Sequence, residues 1–302
     1  MTGMLGAELR KLRRPLWWAS ALAVVGFCLL LAWGATVNAA GGLSGPKLPI
    51  ECVGSTTSEC AARVAAARQL ALTDAADLAA LLRPGRVGTV AAGMLASMPG
   101  VLVVALLAGG HVGAEWSGRT IRSLLTHERR RWRVLLVKWV SLWLAAVGCM
   151  LACWAALAAA GPVLSAVAHL PGNDLPWWDG TGATLVQLGR AAAVLAVFAA
   201  VAVAAATVTR NVVGTIAATI GLVAVTLMVG ASATLRPWTP ASSVQAWMGF
   251  GAHGGYLPTS YWSRFLDDGA ALGTARAVLG LLASAAVAAV VAGWRMRADV
   301  TV

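Results

Sequence analysis

The chain has 302 residues, 59% of them hydrophobic and only 12% charged, with a mean hydropathy of +0.76; an ordinary soluble domain carries about a quarter charged residues, so a soluble globular protein is excluded. Twenty-three Lys and Arg face twelve Asp and Glu, a net charge of +11, and in so apolar a chain the surplus fits membrane-facing cytoplasmic segments rather than a nucleic-acid surface. Five cysteines, Cys28, Cys52, Cys60, Cys149 and Cys153, form no CxxC pair, which removes zinc knuckles and thioredoxin-like redox motifs.

Residues 1–14 place Leu5, Leu9 and Leu12 at helical spacing beside Arg10, Lys11, Arg13 and Arg14. That pattern suits a helix lying on the cytoplasmic surface, or a basic flank that orients the first span with Trp17 and Trp18 as interfacial anchors. Six charge-free runs come next that reach or approach the length of about 20 residues needed for a crossing: Pro15 to Pro46, Val87 to Ala114, Trp139 to Asn173, Ala191 to Thr209, Asn211 to Leu235 and Ala277 to Trp294. The first is too long for the apolar core of a cleavable signal peptide, and no small-residue cleavage site stands out after it, so it is expected to stay in the protein.

Between the first two runs, the extracytoplasmic loop 38–86 contains Thr56 and Glu59, a T-x-x-E capping signature, then an Ala-rich run and Pro84-Gly85. This predicts a helix from about Ser58 to Leu82. Cys52 and Cys60 lie on this oxidising side, where they either close a disulfide or remain two free thiols. Cys28, Cys149 and Cys153 fall within spans as small packing residues.

The loop 111–138, HVGAEWSGRTIRSLLTHERRRWRVLLVK, carries seven basic residues, each costing about 2.5 to 3.5 kcal/mol at mid-bilayer, so it is placed in the cytoplasm. Ser117, Ile121, Leu124 and Leu125 share one helical face, which predicts a short amphipathic helix; Arg129, Arg130, Arg131 and Arg133 then form a basic patch for lipid headgroups or a partner. Farther along, Arg210 separates two apolar runs and marks a tight turn, Thr209-Arg210-Asn211. The segment 236–276 contains a seventh charge-free run, Pro237 to Ser263, with three prolines, four glycines and five Trp or Tyr residues. No straight lipid-exposed helix is built that way, and the run reads as interfacial or re-entrant structure before the last span.

Charge tests this count. Six spans put both termini on one side; segments 1–14, 111–138, Arg210 and 295–302 then sum to +10 and the exported remainder to only +1, as the positive-inside rule demands. The fold expected is an all-α polytopic membrane protein in the plasma (inner) membrane, one transmembrane domain over 1–302 with both termini cytoplasmic.

The loop after the second span is similar to that of ABC-2-type permease subunits of ATP-binding-cassette exporters. It reads in order Glu115, Gly118 with Thr120, Leu124-Leu125, Arg129 to Arg131, and Lys138 opening the third span. It departs from the family pattern in the Arg119 between Gly118 and Thr120, and in having His127-Glu128 where the family often has a proline. The resemblance implies that Gly113 to Thr126 is a coupling helix docking in a cleft of a separate ATPase, through Gly113, Glu115, Trp116, Gly118, Thr120, Ile121, Leu124 and Leu125. It also implies that residues 1–14 are a connecting helix, and that two ATPase chains, which bind ATP and Mg, work with two permease chains, identical or different. The cargo would be an amphipathic drug, lipid or peptide.

The residues themselves carry no motor. The three lysines, Lys11, Lys47 and Lys138, are followed by Leu, Leu and Trp, so no GxxxxGK[ST] loop exists to bind ATP, and no HExxH helix exists for a metalloprotease. The chain is therefore expected to be no enzyme and to hold no cofactor or metal itself. All six proposed spans lack Asp and Glu, which weighs against a secondary transporter. Of the four histidines, His111, His127, His169 and His253, His111 stands four residues before Glu115, a spacing that suits a helix-end contact more often than a metal site. An ATP-independent channel or secondary transporter, and a non-transporting membrane scaffold, are the alternatives to the exporter subunit.

Overall fold

The computed structural model describes residues 6–8, 15–43, 56–118, 121, 131–171, 176–230, 232, 234–249 and 273–298. Among them every regular element is helical. In chain order these are α1 Pro15–Leu43, α2 Thr57–Leu81, α3 Val87–Leu95 and α4 Met98–Ala108, a π-helical turn Gly109–Gly113 running into α5 Ala114–Ser117, then α6 Arg131–Val167, α7 Thr181–Thr209, α8 Val212–Gly230, α9 Pro240–Met248 and α10 Thr274–Ala298. Five helices are long and apolar enough to cross a membrane: Ala21–Gly41, Met98–Ser117, Trp132–Val167, Thr181–Thr209 and Thr274–Arg297. The chain is thus an α-helical, multi-pass membrane protein.

Two of the six expected runs differ in detail. Val87 to Ala114 is not one helix: α3 stops at Leu95, Ser97 is extended (φ −123°, ψ −164°), and α4 restarts with Pro99 in its first turn. Proline lacks an N–H and constrains the residue before it, so an apolar run that reads as continuous is broken there. A Cβ on Gly100 would collide with the Leu95 carbonyl, so the corner admits glycine alone. The run Asn211 to Leu235 yields α8, whose apolar stretch Val212–Thr226 is shorter than the other five.

The capping signature is realised as written. Thr56 accepts from the Glu59 amide while the Glu59 carboxylate accepts from the Thr56 amide, and the helix runs from Thr57 to Leu81. The link between α7 and α8 is the two residues Arg210 and Asn211. Arg210 takes the left-handed conformation (φ 58°), while Asn211 Oδ1 accepts from the Gly214 amide, capping α8.

α7 forms the centre of the bundle, packed against α3, α4, α6, α8 and α10. The shared core holds Leu95, Val104, Leu142, Met150, Leu157, Leu195 and Ala199, all fully buried. Trp139 and Trp143 on α6 donate their indole N–H groups to the Ala196 and Ala192 carbonyls of α7 at 2.8 and 2.9 Å. α1 and α10 turn Leu22, Leu30, Leu279, Leu282 and Val290 outward, an apolar surface suited to lipid. Of the irregular run after α8, the described part is a 3-10 turn Arg236–Trp238 and the short α9, ended by Gly249 at φ +71°; residues 250–272 lie outside the described residues.

Candidate functional site: a buried charge knot

The helices leave two polar ends. At one, where α1 and α6 begin and α7 ends, four ionisable side chains among the described residues meet inside the protein. Glu8, in the helical residues 6–8, is almost fully buried, as are His111 and Lys138, while Glu115 is more open. Lys138 Nζ lies 2.5 Å from Glu8 Oε2 and 2.5 Å from Glu115 Oε2. His111 Nε2 lies 2.9 Å from Glu8 Oε2 and 3.3 Å from Ser141 Oγ, whose own hydroxyl donates to the Lys138 carbonyl at 3.0 Å. Burying charge this deeply is tolerated only when the charges are paired and hydrogen-bonded to one another.

The local backbone explains how they meet. The segment Gly109-Gly110-His111-Val112-Gly113 forms a π-turn, which inserts an extra residue into the helix and resets the direction of the side chains beyond it. Its first and last glycines let α8 approach: a Cβ on Gly109 would stand 3.2 Å from the Val212 carbonyl oxygen, and one on Gly113 would stand 2.9 Å from the Asn211 carbonyl oxygen and from Thr215 Oγ. This is small-residue packing between membrane helices. With α8 seated there, the π-turn brings His111 and the α5 residue Glu115 to Lys138, near the start of α6.

Glu8, His111 and Glu115 offer three donor atoms within 4.8 Å of one another. The Lys138 ammonium bridges both carboxylates and supplies the cation such a donor set would otherwise need, so no metal is assigned.

Of the residues singled out in the sequence, Gly113 is buried in the π-turn, Glu115 joins the knot, and Trp116 lies under the Arg210 guanidinium, 5.4 Å from ring centroid to Cζ. Gly118 closes α5 and Ile121 is buried. Thr120, Leu124, Leu125, Arg129 and Arg130, with His127 and His253, lie outside the described residues. Arg131 opens α6, and the Arg133 guanidinium lies 5.9 Å from the Trp132 ring. His169 caps the far end of α6 at φ 50°, away from the knot. Cys28, Cys149 and Cys153 are free and buried, Cys60 is disulfide-bonded, and Cys52 lies outside the described residues.

Of the expected coupling helix Gly113 to Thr126, the described residues 113–117 run on from α4 through the π-turn. One expectation is corrected: the helices extend beyond the charge-free runs, so the candidate span Met98–Ser117 carries Glu115 as well as His111, and Trp132–Val167 carries Lys138. A charge-free window marks where lipid-compatible sequence begins, not where hydrogen-bonded helix ends, and the extra turns hold charge because they bury it against one another.

Sequence reasoning missed Glu8 and the role of Lys138. Each left a signal: Glu8 is the sole acidic residue of the first 14 and shares a helical face with Leu5 and Leu12, and Lys138 interrupts an otherwise apolar VLLVKWV.

At the opposite end, Arg86 pairs with Asp179 through Nε at 3.0 Å and through Nη2, the Gly85 amide donates to the Trp177 carbonyl at 3.0 Å, and Thr184 Oγ donates to the Gly85 carbonyl at 2.8 Å. Gly180, at φ +84°, lets the chain turn against the Arg86 side chain. On α2, burial and the neighbouring Asp77 push the Asp74 carboxyl above its ordinary range. No family model, curated protein or solved structure matches the chain.

Proposed function

We propose that the chain is the transmembrane permease subunit of an ABC-2-type exporter, which moves an amphipathic drug, lipid or peptide across the plasma membrane while a separate ATPase supplies the energy. The observation that carries this reading is the charge knot, because it ties three parts that a push from outside must move together. These are the N-terminal segment through Glu8, the entrance to the arginine-rich loop through His111 and Glu115, and the bundle through Lys138. Force on the loop then reaches α6 and α7 through rigid, buried contacts rather than through a flexible tether.

The loop motif from Glu115 to Lys138, the absence of a Walker A sequence and the basic surplus at this end support the same reading. In it, both termini and the loop 111–138 are cytoplasmic, and α2 with its Cys60 disulfide lies on the oxidising face. Two ATPase subunits holding ATP and Mg, and a second permease chain, complete the transporter. The buried ionisable cluster is also the one feature that favours the second reading, a proton-coupled transporter, since ionisable groups inside a membrane protein are costly and mark proton or ion pathways.

The test is affinity purification of the tagged chain from its native membrane, with ATPase assay of the eluate, for the wild type and for Leu124→Asp. Co-purification of an ATP-binding-cassette subunit with ATPase activity, both lost in a Leu124→Asp protein that still elutes as the wild type does, is the expected result. A wild-type chain that emerges without such a subunit, but drives flux down a proton gradient in liposomes, refutes the exporter reading.

A further inference from the structure

Arg190 is the sole charged residue of α7, Thr181–Thr209, the central helix of the bundle. It lies about 30 Å along the helix from the cap at Arg210, which is about one hydrocarbon thickness away from the knot. Val186, one turn before it, and Ala193, one turn after it, are exposed, as are Leu185 and, farther from the knot, Trp177 and Trp178. Arg190 therefore stands at the lipid boundary remote from the knot, with apolar surface above and below it and exposed tryptophans beyond.

The polar groups around it satisfy one another. The Trp247 indole N–H donates to the Arg190 carbonyl at 3.0 Å, Gln187 Nε2 donates to the Met248 carbonyl at 2.9 Å, and the Gly249 amide closes α9 on the Gln245 carbonyl. Two groups stand outside these bonds. The Arg190 guanidinium makes no ion pair or hydrogen bond among the described residues, and it points to the exposed corner of α9, where a Cβ on Gly249 would stand 3.6 Å from Nη1. Gln187 Oε1, one turn away on the same face, is buried without a donor. The Met248 carbonyl can only accept, so it fixes which end of the Gln187 amide donates and leaves an acceptor over. Side by side, α7 offers donors for an anion and an acceptor for an N–H.

We propose that Arg190 and Gln187 form a binding site for a membrane phospholipid, the guanidinium holding the phosphate diester and Gln187 Oε1 accepting from a head group that carries an N–H, as ethanolamine does. The planar guanidinium fork matches two phosphate oxygens at once. A lipid reaches this depth without leaving the bilayer, and its acyl chains lie on the exposed apolar faces beside Arg190. Gly249 leaves the entrance free of a side chain. A quaternary choline head has the same phosphate but no N–H, so Gln187 Oε1 keeps its desolvation cost and the lipid is held less tightly. Lipid bound here joins α7 to the end of α9, and this role goes beyond the exporter reading and does not rest on it.

The test is native mass spectrometry of the purified, delipidated full chain in detergent. It is titrated with phosphatidylethanolamine, phosphatidylcholine and diacylglycerol of the same acyl chains, with inorganic phosphate as competitor. The expected order is ethanolamine lipid first, choline lipid second and diacylglycerol last, with inorganic phosphate displacing none of them. Arg190→Gln should weaken both phospholipids about tenfold, as the loss of a charge-assisted hydrogen bond does, with Arg190→Lys in between. Gln187→Leu should bring the ethanolamine lipid down to the level of the choline lipid, whereas a side chain that only ties down α9 would lower both alike. The proposal is overturned by phospholipid binding unchanged in Arg190→Gln, by equal loss of both lipids in Gln187→Leu, or by displacement with inorganic phosphate. Should Arg190→Gln not fold, the wild type decides: diacylglycerol bound as tightly as the phospholipids overturns the proposal too. No ATPase takes part in this measurement, so it stands or fails separately from the exporter reading.

Discussion

The two polar ends of the bundle use the same chemistry, a basic side chain on a carboxylate, with different mechanical weight. At the knot, Glu8 and Lys138 are 4% and 3% exposed; at the other end Arg86 and Asp179 are 37% and 35% exposed. In the first case each charge has given up water and depends on its partners, so removing one strands the others. In the second, water substitutes for the lost partner. Burial, rather than the number of ion pairs, decides which end acts as a rigid joint.

The comparison breaks most easily at Lys138. Lys138→Met takes the ammonium away from buried Glu8 and part-buried Glu115 and should cost about 3 to 5 kcal/mol, read as a large fall in thermal midpoint and a loss of folded protein on size-exclusion chromatography. Next is Gly113→Val, whose side chain must push Asn211 and Thr215 apart from the π-turn. Overpacking of this kind costs about 1 to 3 kcal/mol, and Glu115 should become reactive to a water-soluble carbodiimide as α8 backs away.

Thr56→Ala, which removes the reciprocal cap on α2, should cost about 1 kcal/mol, seen as faster hydrogen exchange in the first turn of that helix and nowhere at the knot. The smallest effect belongs to Asp179→Asn. Its pair is open to solvent, and after screening the change should be within about 1 kcal/mol and shrink further with added salt.

Asp74 supplies a pH-dependent contrast outside the spans. Its carboxyl is raised in the folded state by burial and by Asp77, so it favours folding at acid pH, and that contribution is lost as pH rises through its folded value. Asp74→Asn should therefore stabilise slightly at neutral pH and leave acid stability unchanged, measured by paired thermal melts.

Legibility in the sequence tracks the range of each interaction. The α2 cap, the tight turn at Arg210 and the long apolar helices rest on neighbours within four residues or on plain hydropathy, and these are legible. The break at Ser97 hides inside an apolar run, because hydropathy is blind to Pro99 and to the close approach that Gly100 permits. The knot is farthest from view. Its pairs join residues more than a hundred positions apart, Glu8 to Lys138 and Glu8 to His111, and a π-turn shifts the helical register on which any i, i+4 argument depends. His111 and Glu115 are recognisable as a local pair, but the partners that bury them are not.

The central claim is that the knot is a mutually dependent unit and the outer pair is not. Two double-mutant cycles in the same protein test it most directly: Glu8→Gln with Lys138→Met, and Arg86→Gln with Asp179→Asn, each monitored by thermal unfolding. Strong non-additivity is predicted at the knot, where the double variant costs far less than the two single variants together, by about 2 kcal/mol or more, and near-additivity within about 0.5 kcal/mol at the exposed pair. Additive losses at Glu8 and Lys138, or coupling at Arg86 and Asp179 as strong as at the knot, would contradict it.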